Sequence, residues 1–427
     1  MSRFGYGILC LLLLSARACS RRHGPAQAEV PGFFIFGDSL VDNGNNNYML
    51  TLARANYRPY GIDFPRGTTG RFTNGLTYVD ALAQLLGFRN FIPPYARTRG
   101  RRLLSGVNYA SGASGIRDET GNNLGQHHSM NLQVSNFRDS ISDLRRYFRG
   151  DNTSLNLYLR KCIIYCGMGS NDYLNNYFMT DFYSTSTRFT PKAYAASLLQ
   201  DYARQLTELY ELGARKFIVT AVGQIVHIPN DCSIYETSED EDIRLQCLLR
   251  LRDKIPQSGR VWCVAEVGSS GAGVGALDED GSEKLARGWT RMDLELELVR
   301  CRGWTRMSEM RCRDRWLRRL AQRFNRGTLP KAKFVFLDSY ESTKDLITNA
   351  ASYGFEVVDK GCCGVGRNNG QITCLPLQMP CRDRKKYLFW DAFHPTEAAN
   401  TILAKSSFSS RRKSFAYPIN IQKLAAL

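Results

Sequence analysis

Apolar runs that recur along the chain and end in glycine or polar residues place the strongest constraint on its fold. Four of them have the length and composition of buried strands: Phe33–Phe36, Lys161–Gly167, Arg215–Ala221 and Lys333–Leu337. Helical patterns with short links separate successive runs, which is the order expected of a parallel sheet. The chain is therefore predicted to be an α/β protein with functional residues beyond the carboxyl ends of its strands.

Three stretches with helical periodicity or helix-boundary residues complete this pattern. The first is predicted over Leu76–Leu86 with Asn74 as its N-cap, and the second over Pro191–Leu212. The third is predicted over Thr396–Lys405, with Pro395 at its first position.

The first apolar run breaks at Gly37 and Asp38, which leaves the hydroxyl of Ser39 exposed at the sheet edge. The same residues are common turn formers, so an ordinary strand-ending turn is an equal alternative on this stretch alone. A serine nucleophile also needs a base, a group that orients the base, and donors for an oxyanion.

Histidine is scarce, and only five positions could supply the base: His23, His127, His128, His227 and His394. The first lies in a predicted leader, the next two in a Gly/Asn-rich stretch without a nearby carboxylate, and the fourth after an apolar run. Asp391 precedes the last by three residues, a spacing that can place carboxylate and imidazole on one side of a turn. We predict that Asp391 orients His394 and that the other ring nitrogen faces Ser39.

Two further strand ends could supply oxyanion donors. Gly106–Ile116 reads as a short strand and a glycine turn whose backbone N–H could face an oxyanion. Asn171 follows the second buried run and carries an amide that can donate to the same oxygen. Each signal alone is common, but their combination in this order is specific.

These residues fall in four blocks through which the chain resembles the plant GDSL esterase/lipase family of the SGNH hydrolase superfamily: Phe36–Asn45, Val107–Gly112, Gly169–Asp172 and Asp391–His394. The resemblance covers roughly residues 30–230 and 329–425. It implies a flavodoxin-like three-layer α/β/α sandwich with a mostly parallel central sheet, the SGNH hydrolase fold.

The same resemblance implies that Ser39 is the nucleophile, His394 the base and Asp391 the residue that orients it. The N–H groups of Ser39 and Gly112 and the side chain of Asn171 would form the oxyanion hole. The implied activity is hydrolysis of carboxylic esters through an acyl-enzyme, in lipid or cell-wall ester metabolism, by a monomer that needs no metal or organic cofactor. The substrate would be a small or polymeric ester. An acyltransferase and a catalytically silent secreted binding protein are the alternatives.

The amino-terminal residues have the order of a secretory signal peptide: a positive charge, a short apolar run and small residues. We predict a signal peptide over 1–28, with cleavage near 18 or 28, ahead of a hydrolase domain over 29–427. The apolar run is too short to span a bilayer, so a secreted protein without an integral membrane segment is expected. Asn152 opens a glycosylation sequon in a predicted polar loop.

Residues 231–328 depart from the α/β pattern. They contain a Gly-rich stretch, a short duplication and a strongly basic run. The segment reads as an insertion that loops out, a misread exon boundary or a basic binding element. We favour the first two together and expect poor order.

The net charge of +17 raises the possibility of a polyanionic partner. The basic residues are spread along the chain without a nucleic-acid motif, so no nucleic-acid partner is expected. Attraction of the basic surface to an anionic wall polysaccharide or to a lipid interface is the alternative.

Four cysteines cluster shortly before Asp391: Cys362, Cys363, Cys374 and Cys381. Their spacing fits a zinc site poorly, and disulfides in a secreted protein are favoured. Such bridges would restrict the loop ahead of Asp391 and His394. All three pairings of four cysteines remain open.

Overall fold

A computed structural model of the chain describes residues 28–222 and 306–427, with side chains from 315 onward in the second range. The strands are β1 (Phe33–Gly37), β2 (Ile163–Gly167), β3 (Lys216–Thr220), β4 (Lys333–Leu337), β5 (Val357–Gly361), β6 (Tyr387–Phe389) and β7 (Ala416–Tyr417). The α-helices are α1 (Tyr78–Leu85), α2 (Met130–Tyr147), α3 (Asn152–Lys161), α4 (Ser170–Asp172), α5 (Thr185–Arg188), α6 (Pro191–Glu211), α7 (Arg306–Arg323), α8 (Ser339–Thr348), α9 (Glu397–Ser409) and α10 (Ile421–Ala426).

The central sheet has the order β1-β2-β3-β4-β7, in which the first four strands are parallel and β7 is antiparallel. The four strands predicted from the apolar runs are these parallel strands. β5 and β6 form a separate parallel pair, and β6 leads to the turn that carries Asp391 and His394.

Residues 107–111 lie beside the free edge of β1, where the sequence predicted a strand. The N–H of Ile35 donates to Val107 O at 2.9 Å, and the N–H of Tyr109 donates to Ile35 O at 2.8 Å. Only Asn108 forms a parallel bridge with β1, so the segment is an irregular edge rather than a regular strand. The chain passes from β1 to this segment on one side and later to β2 on the other side, so the strand order reverses at β1. Such a switch point is where open α/β sheets bind ligands.

Helices cover both faces of the sheet, which confirms the predicted three-layer arrangement. Phe34 and Phe36 of β1 enter one core cluster with residues of α2, α3, α6 and α7. Phe33 and Ile35 point to the other face and pack with residues of α1, α9 and α10. This alternation follows from the two-residue period of a strand, and burial on both faces explains why β1 is continuously apolar.

Two helix starts differ from prediction. The side chain of Thr77, not Asn74, caps α1 by accepting from the N–H of Asp80, which bonds back to Thr77 in a capping box. Asn74 instead donates to Asp63 and accepts from the N–H of Glu397. Helix α9 likewise begins at Glu397 with Thr396 as its cap, so Pro395 precedes the helix.

Helix α7 lies inside the segment that the sequence assigned to 231–328, yet it belongs to the core. Trp316, Leu317 and Leu320 are buried, with Leu320 fully inaccessible. They join the core cluster that contains α6 and β4. The atypical segment therefore ends before α7 rather than at 328, and residues 231–305 lie outside the described residues. Among the helices described, none combines the length and apolar character needed to cross a bilayer.

Candidate active site

Ser39 lies immediately after β1 in a tight turn. The N–H groups of Val41 and Asp42 both donate to Asp38 O, and the N–H of Leu40 donates to Asp38 Oδ1 at 3.0 Å. A side chain at Gly37 would collide with Val41 and with the backbone of β2, so only glycine fits this close approach. The turn leaves Ser39 partly exposed beyond the carboxyl end of the sheet.

Asp391 and His394 share one turn between β6 and α9. Asp391 Oδ1 accepts the N–H groups of Phe393 and His394, each at 2.9 Å, and so closes the turn on its own side chain. The N–H of Trp390 donates to His394 O at 2.7 Å. Asp391 is fully buried and His394 is nearly so. Local bonds therefore fix the carboxylate and the imidazole on the same side of the turn.

The structure brings Ser39, His394 and Asp391 into one hydrogen-bonded chain. His394 Nε2 lies 2.7 Å from Ser39 Oγ, across a separation of 355 residues. His394 Nδ1 lies 2.7 Å from Asp391 Oδ1 and 2.9 Å from Oδ2. The Phe72 ring packs against the imidazole, with centroids 5.1 Å apart. A base positioned in this way can take a proton from the serine hydroxyl.

Asn171 lies in α4, directly after β2 and therefore beside the end of β1. It is buried, and its Nδ2 donates to Ser114 O at 2.9 Å. Its Oδ1 accepts from Asn175 at 2.7 Å. These two bonds define the orientation of the amide, whose NH₂ group carries two donor hydrogens.

Gly112 reaches the same sheet edge, but its N–H is engaged. It donates to Asp42 Oδ2 at 3.0 Å, while Asp42 Oδ1 accepts from Gly44 and Asn45 at 2.8 and 2.9 Å. Burial raises the pKa of Asp42 to about 6, against these N–H donors, which lower it. The predicted role of Gly112 as an oxyanion donor thus differs from the geometry, in which a carboxylate holds its N–H.

The asparagines that follow Ser39 connect the first two sequence blocks. Asn45 donates to the carbonyls of Asn108 and Ala110 at 2.9 and 2.7 Å, and Asn46 donates to Gly112 O at 3.1 Å. Asn108 returns a bond to Val41 O at 2.7 Å. The carbonyls of residues 108–112 are not all bonded in a regular sheet, and buried asparagine amides donate to them instead. This need for amide donors explains the Asn-rich sequence that follows Ser39.

The residues next to the nucleophile and the base shape the electrostatics of the site. Burial raises the pKa of Asp38 to about 6, while the Leu40 N–H and the charge on His394 lower it. On the other side, Tyr60 donates from its hydroxyl to Asp391 Oδ2 at 2.5 Å. Sequence reasoning missed Tyr60, because nothing local in the loop that carries it distinguishes it from Tyr57.

A sequence model described as GDSL-like lipase/acylhydrolase matches this chain over residues 33–263 and 311–406. The matched ranges include Ser39, Asn171, Asp391 and His394. The chain belongs to this family. Its members are hydrolases of the GDSL esterase/lipase type, so the chain is a carboxylic ester hydrolase by family.

Curated relatives agree with this assignment. GDSL esterase/lipase At1g33811 of Arabidopsis thaliana is 56% identical over 401 residues, which cover 94% of this chain and 92% of the relative. GDSL esterase/lipase At1g29670 of the same plant is 45% identical over 402 residues, with coverage of 94% and 93%. GDSL esterase/lipase 7, also from this plant, is 39% identical over 427 residues, with coverage of 98% and 99%.

Two disulfides secure the turn that carries Asp391 and His394. The structure pairs Cys362 with Cys381 and Cys363 with Cys374, which resolves the three pairings left open by the sequence. The N–H groups of Cys362 and Cys363 donate to Phe389 O and Trp390 O at 3.1 and 2.7 Å. The bridged loop is thus bonded directly to the backbone that enters the turn.

The other histidines and the glycosylation sequon that the sequence singled out are not part of the hydrogen-bonded chain from Ser39 to Asp391 where the structure describes them. Asn152 is exposed at the first residue of α3, not in a loop. His127 and His128 lie in a loop beside a surface cleft, whereas His23 and His227 lie outside the described residues. Among the side chains described, in 28–222 and 315–427, no group of His, Cys, Asp and Glu is arranged to hold a metal ion.

Proposed function

We propose that this family member is a secreted serine esterase or lipase in which Ser39, His394 and Asp391 form the catalytic triad. The observation that carries the proposal is the hydrogen-bonded chain from Ser39 Oγ through His394 to Asp391, with contacts of 2.7 Å on both sides of the imidazole. The first contact joins residues from opposite ends of the sequence, and the second lies within one turn, where a buried carboxylate orients the base.

Acylation would begin when Ser39 Oγ attacks the ester carbonyl carbon. His394 Nε2 accepts the hydroxyl proton, and Asp391 stabilises the imidazolium while fixing the tautomer with Nδ1 protonated. The tetrahedral intermediate then expels the alcohol, which takes the proton from His394. The ester acyl group remains on Ser39 as an acyl-enzyme.

The negative oxygen of that intermediate needs donors that are in place before the reaction. We assign this role to the Asn171 amide and the Ser39 N–H. Gly112 joins them only when its N–H turns from Asp42. Water activated by His394 would then attack the acyl-enzyme and release the acid, which restores Ser39.

The triad proposal is tested by hydrolysis of a short-chain nitrophenyl ester by the purified protein and its Ser39→Ala variant. Thermal melting shows that both proteins are folded. Loss of activity in the folded Ser39→Ala variant supports Ser39 as the nucleophile. A series of esters that differ in acyl-chain length then defines the preferred acid. The proposed physiological substrates are lipid or cell-wall esters.

Export is a further part of this proposal, supported by the leader-like composition of residues 1–28 and by the two disulfides, which are typical of oxidising compartments. Amino-terminal sequencing of protein collected from the medium of expressing plant cells should place the first residue after position 18 or 28. Retention of the whole protein in cells with Met1 intact would contradict export.

A further inference from the structure

We propose that Tyr60 is a positioning residue of the site, whose hydroxyl holds the Asp391 carboxylate in the orientation that His394 requires. The inference rests on the proposed function, because it concerns the same base. Tyr60 is 1% exposed, and its hydroxyl donates to Asp391 Oδ2 at 2.5 Å across 331 residues of sequence.

The hydrogen bonds around Asp391 divide between its two oxygens. Oδ1 accepts the N–H groups of Phe393 and His394 and lies nearest to His394 Nδ1, at 2.7 Å. Oδ2 accepts from Tyr60 and lies 2.9 Å from the same Nδ1. The backbone N–H groups of the turn thus hold Oδ1, and the Tyr60 hydroxyl holds Oδ2. With both oxygens held, rotation of the carboxylate about its Cβ–Cγ bond is opposed.

The aromatic ring of Tyr60 is itself held in place. Its centroid lies 5.4 Å from that of Tyr57 and 6.1 Å from those of Phe72 and Trp390. Phe72 also packs against the His394 ring. One aromatic cluster thus packs against both the Tyr60 ring and the His394 imidazole. This packing fixes the position from which the Tyr60 hydroxyl donates to Asp391.

A neutral donor is well suited to this position. Burial and the charge of Asp391 raise the pKa of Tyr60 well above its ordinary value, so the phenol stays protonated. A phenol that donates to Asp391 disperses part of the carboxylate charge without neutralising it. Without that donor, the more concentrated charge would stabilise the His394 imidazolium further, which raises the pKa of the base.

Two other titratable groups interact with this pair. Asp38, on the turn after β1, lies close enough for its charge to interact with His394. Tyr57 interacts with the charge of Asp391, but its hydroxyl donates to Cys374 O at 2.8 Å. Tyr57→Phe is thus a matched control that removes a neighbouring phenol and leaves the Asp391 bond in place.

The test compares kcat, KM and the pH profile of ester hydrolysis for the full chain, Tyr60→Phe and Tyr57→Phe. Tyr60→Phe should lower kcat about tenfold with little change in KM, since a bond to a charged group is lost. The acid limb of kcat/KM should move to higher pH by about half a unit or more, because His394 must be neutral to act. Tyr57→Phe should retain the wild-type profile.

A purely structural role for Tyr60 gives a different result. Tyr60→Phe would then melt at a lower temperature, but kcat and the acid limb would match those of the wild type, and this would overturn the proposal. An equal shift in Tyr57→Phe would also overturn it, because the effect would not belong to the Asp391 bond.

A second measurement does not depend on turnover. Proton NMR of the resting enzyme reads the titration of His394 directly, so failure of the proposed esterase activity is distinguishable from failure of the role of Tyr60. If Tyr60→Phe does not fold, a fluorinated tyrosine introduced at position 60 keeps the shape and donates more strongly. It should lower the pKa of His394, and an unchanged or raised pKa would overturn the proposal.

Discussion

At the scale of single residues, each predicted triad member sits in a local motif, whereas the proposed positioning residue Tyr60 does not. Ser39 follows a buried strand, and Asp391 and His394 share one turn, so short patterns were sufficient to single them out as candidates. Tyr60 meets Asp391 across 331 residues. Pairing at that distance depends on how the whole chain folds, and no spacing rule predicts it.

Gly112 shows what a local pattern leaves undetermined at this scale, and its role as an oxyanion donor stays a prediction. Its position at the sheet edge was predictable from the glycine turn, and the structure places it there. The direction of its N–H depends on Asp42, a buried carboxylate that collects three backbone donors. The sequence shows that Asp42 is present, but not which N–H groups it attracts.

Asn171 provides the residue-scale test of the proposed oxyanion hole. Asn171→Ala should reduce kcat by about 10²–10³-fold, because it removes a donor that acts on charge formed in the transition state. Steady-state kinetics with the short-chain ester measure this, with exposed Asn349→Ala as a control that retains normal turnover. Near-normal kcat in a folded Asn171→Ala protein would remove this amide from the mechanism.

At the scale of elements, the strands were predicted more accurately than the helix ends. Apolar strands buried on both faces have a continuous signal, and their observed bounds differ little from prediction. Helix starts depend on which of several polar residues turns toward the first N–H groups. At α1, Thr77 takes this role because Asp80 completes a capping box, while Asn74 is drawn toward Asp63 and α9.

Helix α7 is the element whose place in the core the sequence did not predict. Its sequence is rich in arginine, and this charge concealed an apolar stripe within a segment that otherwise departs from the pattern. Trp316, Leu317 and Leu320 form that stripe, Phe324 continues it directly after the helix, and all four are buried. Spacings of three and four residues place them on one side of a helix.

The membership of α7 in the core can be tested by truncating one buried side chain. Leu320→Ala should lower the free energy of unfolding by about 2–5 kcal/mol, through lost burial and a new cavity. Exposed Arg315→Ala, on the same helix, should change it by less than about 0.5 kcal/mol. Denaturant titrations of the two variants measure both values, and equal small effects would place α7 outside the core.

At the scale of the whole molecule, the family match leaves one internal stretch outside the hydrolase domain. The family model leaves residues 264–310 unmatched, α7 begins at Arg306, and Trp316 is the first buried residue among the described side chains of α7. We propose that residues 264–305, which precede α7, are an addition to a complete hydrolase domain. The sequence extended the atypical segment to 328 because the arginine-rich composition of α7 conceals its apolar spacing.

Replacing residues 264–305 with a short Gly/Ser linker should leave a folded protein with comparable ester hydrolysis. The reason is that the proposed triad and oxyanion donors all lie within the matched ranges. Thermal melting and the short-chain ester assay provide the measurements. Collapse of the shortened protein, with loss of both cooperative melting and activity, would show that the stretch is part of the domain.

The central claim is that Ser39 attacks the ester under the control of His394 and Asp391. The most direct measurement is the rate of short-chain nitrophenyl ester hydrolysis by the wild-type protein and by Ser39→Ala, with both shown to be folded. We predict Ser39-dependent turnover that falls by a factor on the order of 10⁴ or more in the variant. Equal hydrolysis by the two folded proteins, or none by the wild type across a series of chain lengths, would contradict the account.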